Sequence, residues 1–190
     1  MPIALDQLQV LIALGESLTL ELKKSTAEKD RACRSLCALA NGQGGYVVFG
    51  ITPVGKVVGQ KVTDRTLEEL AQEFQGFEPP LQPHVQRILV SGDGEAGLEV
   101  LLVQVERSTN APVSFRGVPY ERVLNTTRVM PRAGYLRLLV ESIHSTDRWE
   151  IQPALGCTLD TLDRQELMVT IEEGRVFGAK NQPSHHAPKL

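Results

Sequence analysis

Two carboxylates, Glu16 and Glu21, stand five residues apart just ahead of a Lys23-Lys24 pair. Acids paired in this way can hold a divalent ion through oxygen, and such an ion activates water or steadies a phosphoryl oxygen. The same run also reads as a plain strand. Leu18, Leu20 and Leu22 alternate with Thr19, Glu21 and Lys23, the period of a half-buried strand. On that pattern Glu21 points away from the core.

Cys33 and Cys37, four apart on an apolar stripe, could in principle clamp a metal. Their nearest companions, His84 and Cys157, are not at ligand spacing, and small buried thiols commonly pack as hydrophobes. His144, at a helix end, and His185 and His186, in a tail, complete no cluster. No metal and no cofactor is expected. Gly42, Gly44, Gly45 and Gly50 follow a helix and precede a strand, the reverse of a dinucleotide-binding loop, and no P-loop lysine with Ser or Thr follows them. They serve a tight turn; the alternative is a cradle of turn N–H groups for a phosphate or base. Asn41 is expected to end its helix in a left-handed cap, its amide holding the loop from Gly42 to Gly45.

Charge is concentrated further along. Arg107, Arg116, Arg122, Arg128, Arg132 and Arg137 share their stretch with a single acid, Glu121, in a chain of net charge −3. Arginine suits bidentate phosphate grips. Asn125, Thr126 and Thr127 beside Arg128 add the neutral donors of backbone contacts. The bland alternative is a scattered basic surface beside the acidic stretch Asp64–Glu78.

The elements that must position these groups follow from periodicity. Helices are expected over Asp6 to Leu14, Glu28 to Ala40, a stretch capped by Thr66 and Glu69 and ending at Gly76, and Arg132 to Ile143. The second carries Ala32, Cys33, Leu36, Cys37 and Ala40 inward, with Arg31 and Arg34 near its solvated side. The last carries Leu136, Leu139, Val140 and Ile143 on one side. Strands are expected over Tyr46–Ile51, with Thr52–Gly55 turning into Lys56–Gly59, and over His84–Val90, Leu98–Val105 and Val118–Leu124. Pro79, Pro80 and Pro83 hold an extended linker, and Ser91–Gly97 is a glycine- and acid-rich turn. From Trp149 the texture changes: a Gln-Pro turn, Gly156, one more helix capped by Asp163 and Glu166 and weakened by Gly174 and Gly178, and a disordered tail, Asn181–Leu190. The reading is an α+β fold, a mixed β-sheet packed against helices. Residues 1–150 form the domain, and 151–190 a linker-like helix and tail.

At 190 residues, 42% hydrophobic and 23% charged, the chain has room for one sizeable core and is not disordered in composition. Three cysteines, with no signal peptide and no apolar run near 18 residues, point to a reducing cytoplasm and no membrane span. Aromatics at 5% leave few stacking platforms for single-stranded bases.

A set of short motifs resembles a known family. These are Glu16…Glu21-Leu-Lys23, Ala38-Leu-Ala-Asn41 with Gly44-Gly45-Tyr46 and Phe49-Gly50, and Gly55-Lys56-Val57-Val58-Gly59. Pro79-Pro80, the strand Leu101–Glu106 with Ser108, Ala111-Pro112, Tyr120-x-Arg122-Val123 and Thr126-Thr127 continue the series. Together they are similar to the Schlafen-type AlbA-like domain, found at the front of many bacterial transcriptional regulators once labelled divergent AAA-type ATPases. The similarity covers about Glu16 to Leu139, and Trp149 to Leu167 is similar to the linker of longer members. It implies a DNA-binding, transcription-regulatory domain with DNA or RNA as partner. The alternatives are a structural or dimerising interaction module, here a homodimer, and a metal-dependent endoribonuclease using Glu16 and Glu21. RNA-cleaving eukaryotic members use three acids; Glu16 and Glu21 match two, and Thr52 stands at the third. The family's usual glycine-serine after the last strand's Arg-Val is replaced by Leu124-Asn125.

Overall fold

In the computed structural model, residues 3–13, 15–91, 97–146 and 163–180 are described. The turn between residues 92 and 96, the segment before Asp163 and the tail Asn181–Leu190 lie outside them. The chain divides into two compact units, Met1–Arg148 and Trp149–Leu190.

The first unit is built on a β-α-β crossover. Strand β1 (Leu20–Lys23) leads through a short 3₁₀ turn into helix α2 (Lys29–Asn41) and back along β2 (Gly45–Phe49), which lies parallel to β1. Strands β5 (Leu98–Val105) and β4 (His84–Ser91) add antiparallel, giving a mixed sheet of order β1-β2-β5-β4. A second sheet, order β3-β6-β7-β8, is wholly antiparallel: β3 (Phe77–Glu78), β6 (Ser114–Phe115), β7 (Val118–Val123) and β8 (Thr126–Val129). The α+β expectation is met, with the strands parted into two sheets. β3, β6 and β8 were not expected, being two to four residues long and too short to show a period.

Alternation in β1 and β2 sorts the core. Leu20, Leu22 and Val48 join Leu8 and Ile12 of α1 (Leu5–Ala13) on one face. Val47, Phe49, Leu101 and Val103 join α2, Leu70 of α3 (Asp64–Phe74), Phe77 and Phe115 of the second sheet, and Val113 just before β6, on the other. Each fully buried Leu or Phe contributes roughly 1.5–3 kcal/mol. α2 is therefore covered on two sides, and from Ala32 to Asn41 only Arg34 is exposed. Its small residues, Ala, Cys and Ser, let both sheets approach.

Boundaries shift from expectation by one to three residues, most at the start of α3 and the end of α4. The cap of α3 is Thr63, whose hydroxyl accepts from Thr66 N (3.4 Å) while the Thr66 hydroxyl accepts from Thr63 N (3.2 Å). Thr66 thus fills the third helical position, where its hydroxyl does the work usually given to Glu or Gln. The freed Glu69 pairs with Lys29 and Arg65, and the hydrogen bond from Lys29, with Arg65 beside it, lowers its carboxyl below the usual range. The Thr52–Gly55 turn forms as expected, closing on the Ile51–Val57 bridge. α4 spans Arg132–Thr146. In the second unit α5 (Arg164–Lys180) is capped by Asp163, whose carboxylate accepts from Gln165 N (2.8 Å) and Glu166 N (3.2 Å). Among the described residues no helix is long and apolar enough to cross a membrane.

The glycine turn after α2 is a packing device. Gly44 and Gly45 have φ of 77° and 145°. A Cβ on Gly44 would lie 2.8 Å from Val105 O and 2.9 Å from Arg107 N, and one on Gly45 would strike the Thr19 carbonyl. Both positions are pressed against neighbouring backbone, which only glycine permits. Gly45→Ala is expected to lose about 3 kcal/mol or more, because backbone must move. Gly117→Ala, at φ 77° with open space around it, should lose only about 1 kcal/mol. Urea unfolding of both variants measures the difference, and equal losses would contradict this packing.

Candidate nucleic-acid interface

The outer edge of β1 is where the chemistry-bearing residues meet. Its backbone turns Thr19 O and Lys23 O toward β2, so the groups of Leu20 and Leu22 face outward and need other partners. Glu16 accepts from Leu22 N (3.2 Å). Lys23 reaches back to Leu22 O (3.5 Å) and pairs with Glu21. Arg122, from β7, donates to Ser17 O and Leu20 O (2.8 Å each), to Glu21 (2.5 Å) and to the Thr127 hydroxyl (3.0 Å). Thr127 in turn shares a hydrogen bond with Ser35 of α2 (3.1 Å). The Arg122 side chain is 2% exposed, and Glu21 as a residue 8%.

This geometry corrects three expectations. Glu21 does lie on the opposite face from Leu20 and Leu22, but that face is covered by β7 and β8 rather than by water. Arg122 and Thr127, read as phosphate contacts, are a buried and a half-buried strut, with the guanidinium bonded to Ser17 O, Leu20 O, Glu21 and the Thr127 hydroxyl. Asn41 is not a left-handed cap either. It is the last residue of α2, followed by Gly42 as cap, and its buried amide accepts from Val113 N (2.6 Å) and donates to Val113 O (2.8 Å) and Tyr120 O (2.9 Å). Asn41 ties the helix to the second sheet, not to the loop carrying Gly42, Gly44 and Gly45.

The arginine segment is largely neutralised. Arg107 and Arg137 pair with Glu141, Arg116 with Asp30 and Glu73, Arg122 with Glu21, and Arg128 with Glu121. Among the described residues only Arg132 of the six makes no ion pair. Arg116 also lies over the Phe115 ring and sits at φ 50° in the tight turn between β6 and β7. Cys33 and Cys37 are buried. Burial, with Glu73 and Asp30 nearby, pushes the Cys33 thiol up to about 12, and burial pushes Cys37 up to about 11. Both stay protonated and inert at neutral pH.

What remains in water is the tip of the β7–β8 hairpin. Val123 and Thr126 pair across a two-residue turn of Leu124 and Asn125. Leu124 sits at φ 56°, where such turns favour glycine, and is 74% exposed. Asn125, Thr126 and Arg128 are exposed around it. A polar groove of about 580 Å³, lined by Gln82, His84, Gln104, Arg107, Thr109 and Asn110, opens at the end of β5. Its residues come from two separate loops, so no single sequence window carries it.

The family model described as Schlafen, AlbA_2 matches residues 16–131. The chain belongs to that Schlafen AlbA_2 family. Among curated proteins none matches. A crystal structure of the DIP2311 protein from Corynebacterium diphtheriae is similar at 16% identity and a TM-score of 0.46, covering 64% of this chain. The match takes in 23% of that longer chain. Family membership suggests a nucleic-acid-binding or nuclease-like domain.

The acids of this AlbA_2 chain do not fit a divalent cation as they stand. Glu21 is held by Lys23 and Arg122, Glu16 accepts from a backbone N–H, and the Thr52 hydroxyl accepts from Lys56 N (3.1 Å) within its turn. A metal would have to displace two cations from Glu21. Among the described residues no three His, Cys, Asp or Glu side chains gather at a metal-binding distance.

Removing one partner of a buried pair strands the other. Glu21→Leu and Arg122→Met are each expected to lower stability by about 3–5 kcal/mol, and the double variant by clearly less than the sum. A double-mutant cycle in urea measures the coupling; a Glu21→Leu loss under about 0.5 kcal/mol would contradict the strut. Leu124→Gly acts in the opposite direction. Relief of the positive φ should raise stability by up to about 1 kcal/mol, read from the urea midpoint.

Proposed function

We propose that this chain is a nucleic-acid-binding domain, with DNA its expected ligand and transcriptional regulation in the cytoplasm its setting. The exposed tip of the β7–β8 hairpin carries this reading. Asn125 and Thr126 offer neutral donors, Arg128 a guanidinium shared with Glu121, and buried Arg122 with half-buried Thr127 stiffens the hairpin beneath them. Arg116 belongs to a separate ion-paired cluster with Asp30 and Glu73 and is left out of the contact set. Neutral donors and one shared arginine position a phosphate backbone without reading sequence. The family's nucleic-acid association supports the same reading.

With so few free cations, the salt dependence is expected to be shallow. Neutralising one or two phosphates gives a slope of roughly −1 to −2 in log K against log salt. Labelled duplex and single-stranded DNA and RNA titrated at about 50 and 200 mM salt test this. Arg128→Ala should flatten the slope by about one unit. No binding at the lower salt would overturn the reading, as would affinity unchanged in a Thr126→Glu/Arg128→Glu variant. Metal-dependent RNA cleavage lost in Glu16→Gln would instead favour a nuclease.

A second reading, an interaction module that forms homodimers, is favoured by one observation. The outward side of α4 is apolar.

A further inference from the structure

We propose that α4 is the two-fold interface of a homodimer, its outward stripe laid antiparallel against the same stripe of a second copy. The proposal deepens the second reading above and is independent of nucleic-acid binding.

α4 is held to its own unit by little. Leu138 is buried with Ala111 and Met130, and Gly134 lies close enough to Met130 and Glu121 that a Cβ there would touch both at 3.2 Å. The opposite side carries Leu136, Leu139, Val140 and Ile143, each 37–51% exposed. At helical spacing these four fall within about 100° of arc, the width of a core-facing stripe. The helix is thus inverted: its wider apolar face looks outward and its narrow one inward. Half-open Tyr135 lies on the same helix, and Val129 of β8 is also exposed. Together the six side chains leave roughly 500 Å², the upper end of what monomers expose. With flanking polar atoms this approaches the ~800 Å² per partner of a standard interface.

Charge selects the occupant and its direction. α4 has no acid in its first turn and carries Arg132 there, against the positive end of its own dipole. An antiparallel second copy brings the negative end of its α4 to that arginine, and the two-fold repeats the contact at the other end. A parallel pair would put the two Arg132 side chains together. With the axis between positions 139 and 140, Leu139 faces Val140 of the second copy and Leu136 faces Ile143. An aliphatic stripe offers nothing to phosphate, so a nucleic acid is a poorer occupant than a like surface.

Sedimentation of the full chain without nucleic acid, from about 1 to 100 µM, tests the proposal at the concentrations where standard interfaces form. A concentration-dependent dimer is expected. Leu139→Glu and Val140→Lys should each be monomeric with unchanged circular dichroism, and an equimolar mixture of the two should dimerise again. In the mixed pair the introduced charges face each other across the axis. A monomeric parent at the highest concentration overturns the proposal whatever the variants do. A dimer that survives both substitutions overturns the assignment to α4. Folded monomeric variants that do not rescue one another overturn the antiparallel register. If a variant misfolds, the milder Leu139→Ala/Val140→Ala takes its place, and it must weaken the dimer at least tenfold.

Discussion

The structure depends on how the open edge of β1 is closed. An edge strand presents unpaired N–H and C=O groups, and burying them unpaired costs about 1–3 kcal/mol apiece. Here the partner is not another strand but side chains. Arg122 supplies donors to two carbonyls, Glu16 accepts one N–H, and Glu21 balances the arginine's charge. The guanidinium suits this place because its fork of donors is rigid and weakly hydrated, so it fills several acceptors at once. Because Arg122 belongs to β7, the contact that closes the first sheet also docks the second.

From that docking follows the character of α2. A helix between two sheets keeps little solvated side: from Ala32 to Asn41 only Arg34 is exposed, and small residues are interleaved with the core leucines Leu36 and Leu39. The polar groups it still carries are spent inward. Asn41 satisfies both backbone groups of Val113 and the carbonyl of Tyr120, while Ser35 meets Thr127. The Cys37 thiol donates to the Val113 carbonyl as well (3.2 Å). A buried amide with three short bonds specifies position more sharply than an apolar residue of the same size. The Ala-Asn element is therefore a joint between layers.

The long elements were legible in the sequence because their period is their own property. Strand β5 and the alternation of Leu20 and Leu22 needed only local spacing, and both came out as read. What the spacing does not contain is the identity of the covering layer. Glu21 sits on the face the alternation assigned it, yet that face meets β7, whose Arg122 is 101 residues further along the chain. The ion pairing of the arginine segment was hidden for the same reason. Besides Glu121, its neutralising acids, Glu21, Asp30, Glu73 and Glu141, lie outside the counted window, on β1, α2, α3 and α4. On α4 the stripe was recognised but its direction was not, since periodicity marks a face and leaves open whether the cover belongs to the same chain.

The acids illustrate why a matching motif need not carry a matching chemistry. A carboxylate accepts at about four lone-pair positions but carries a single negative charge. In Glu21 that charge is already balanced by Lys23 and by an arginine sealed from water. A divalent ion would have to return both to solvent or leave them repelled by it, and the desolvated arginine makes the exchange worse. Thr52 adds no charge to compensate, and its hydroxyl is committed to the turn that ends at Lys56. The same residue types that could assemble a metal centre are thus consumed by the edge they protect.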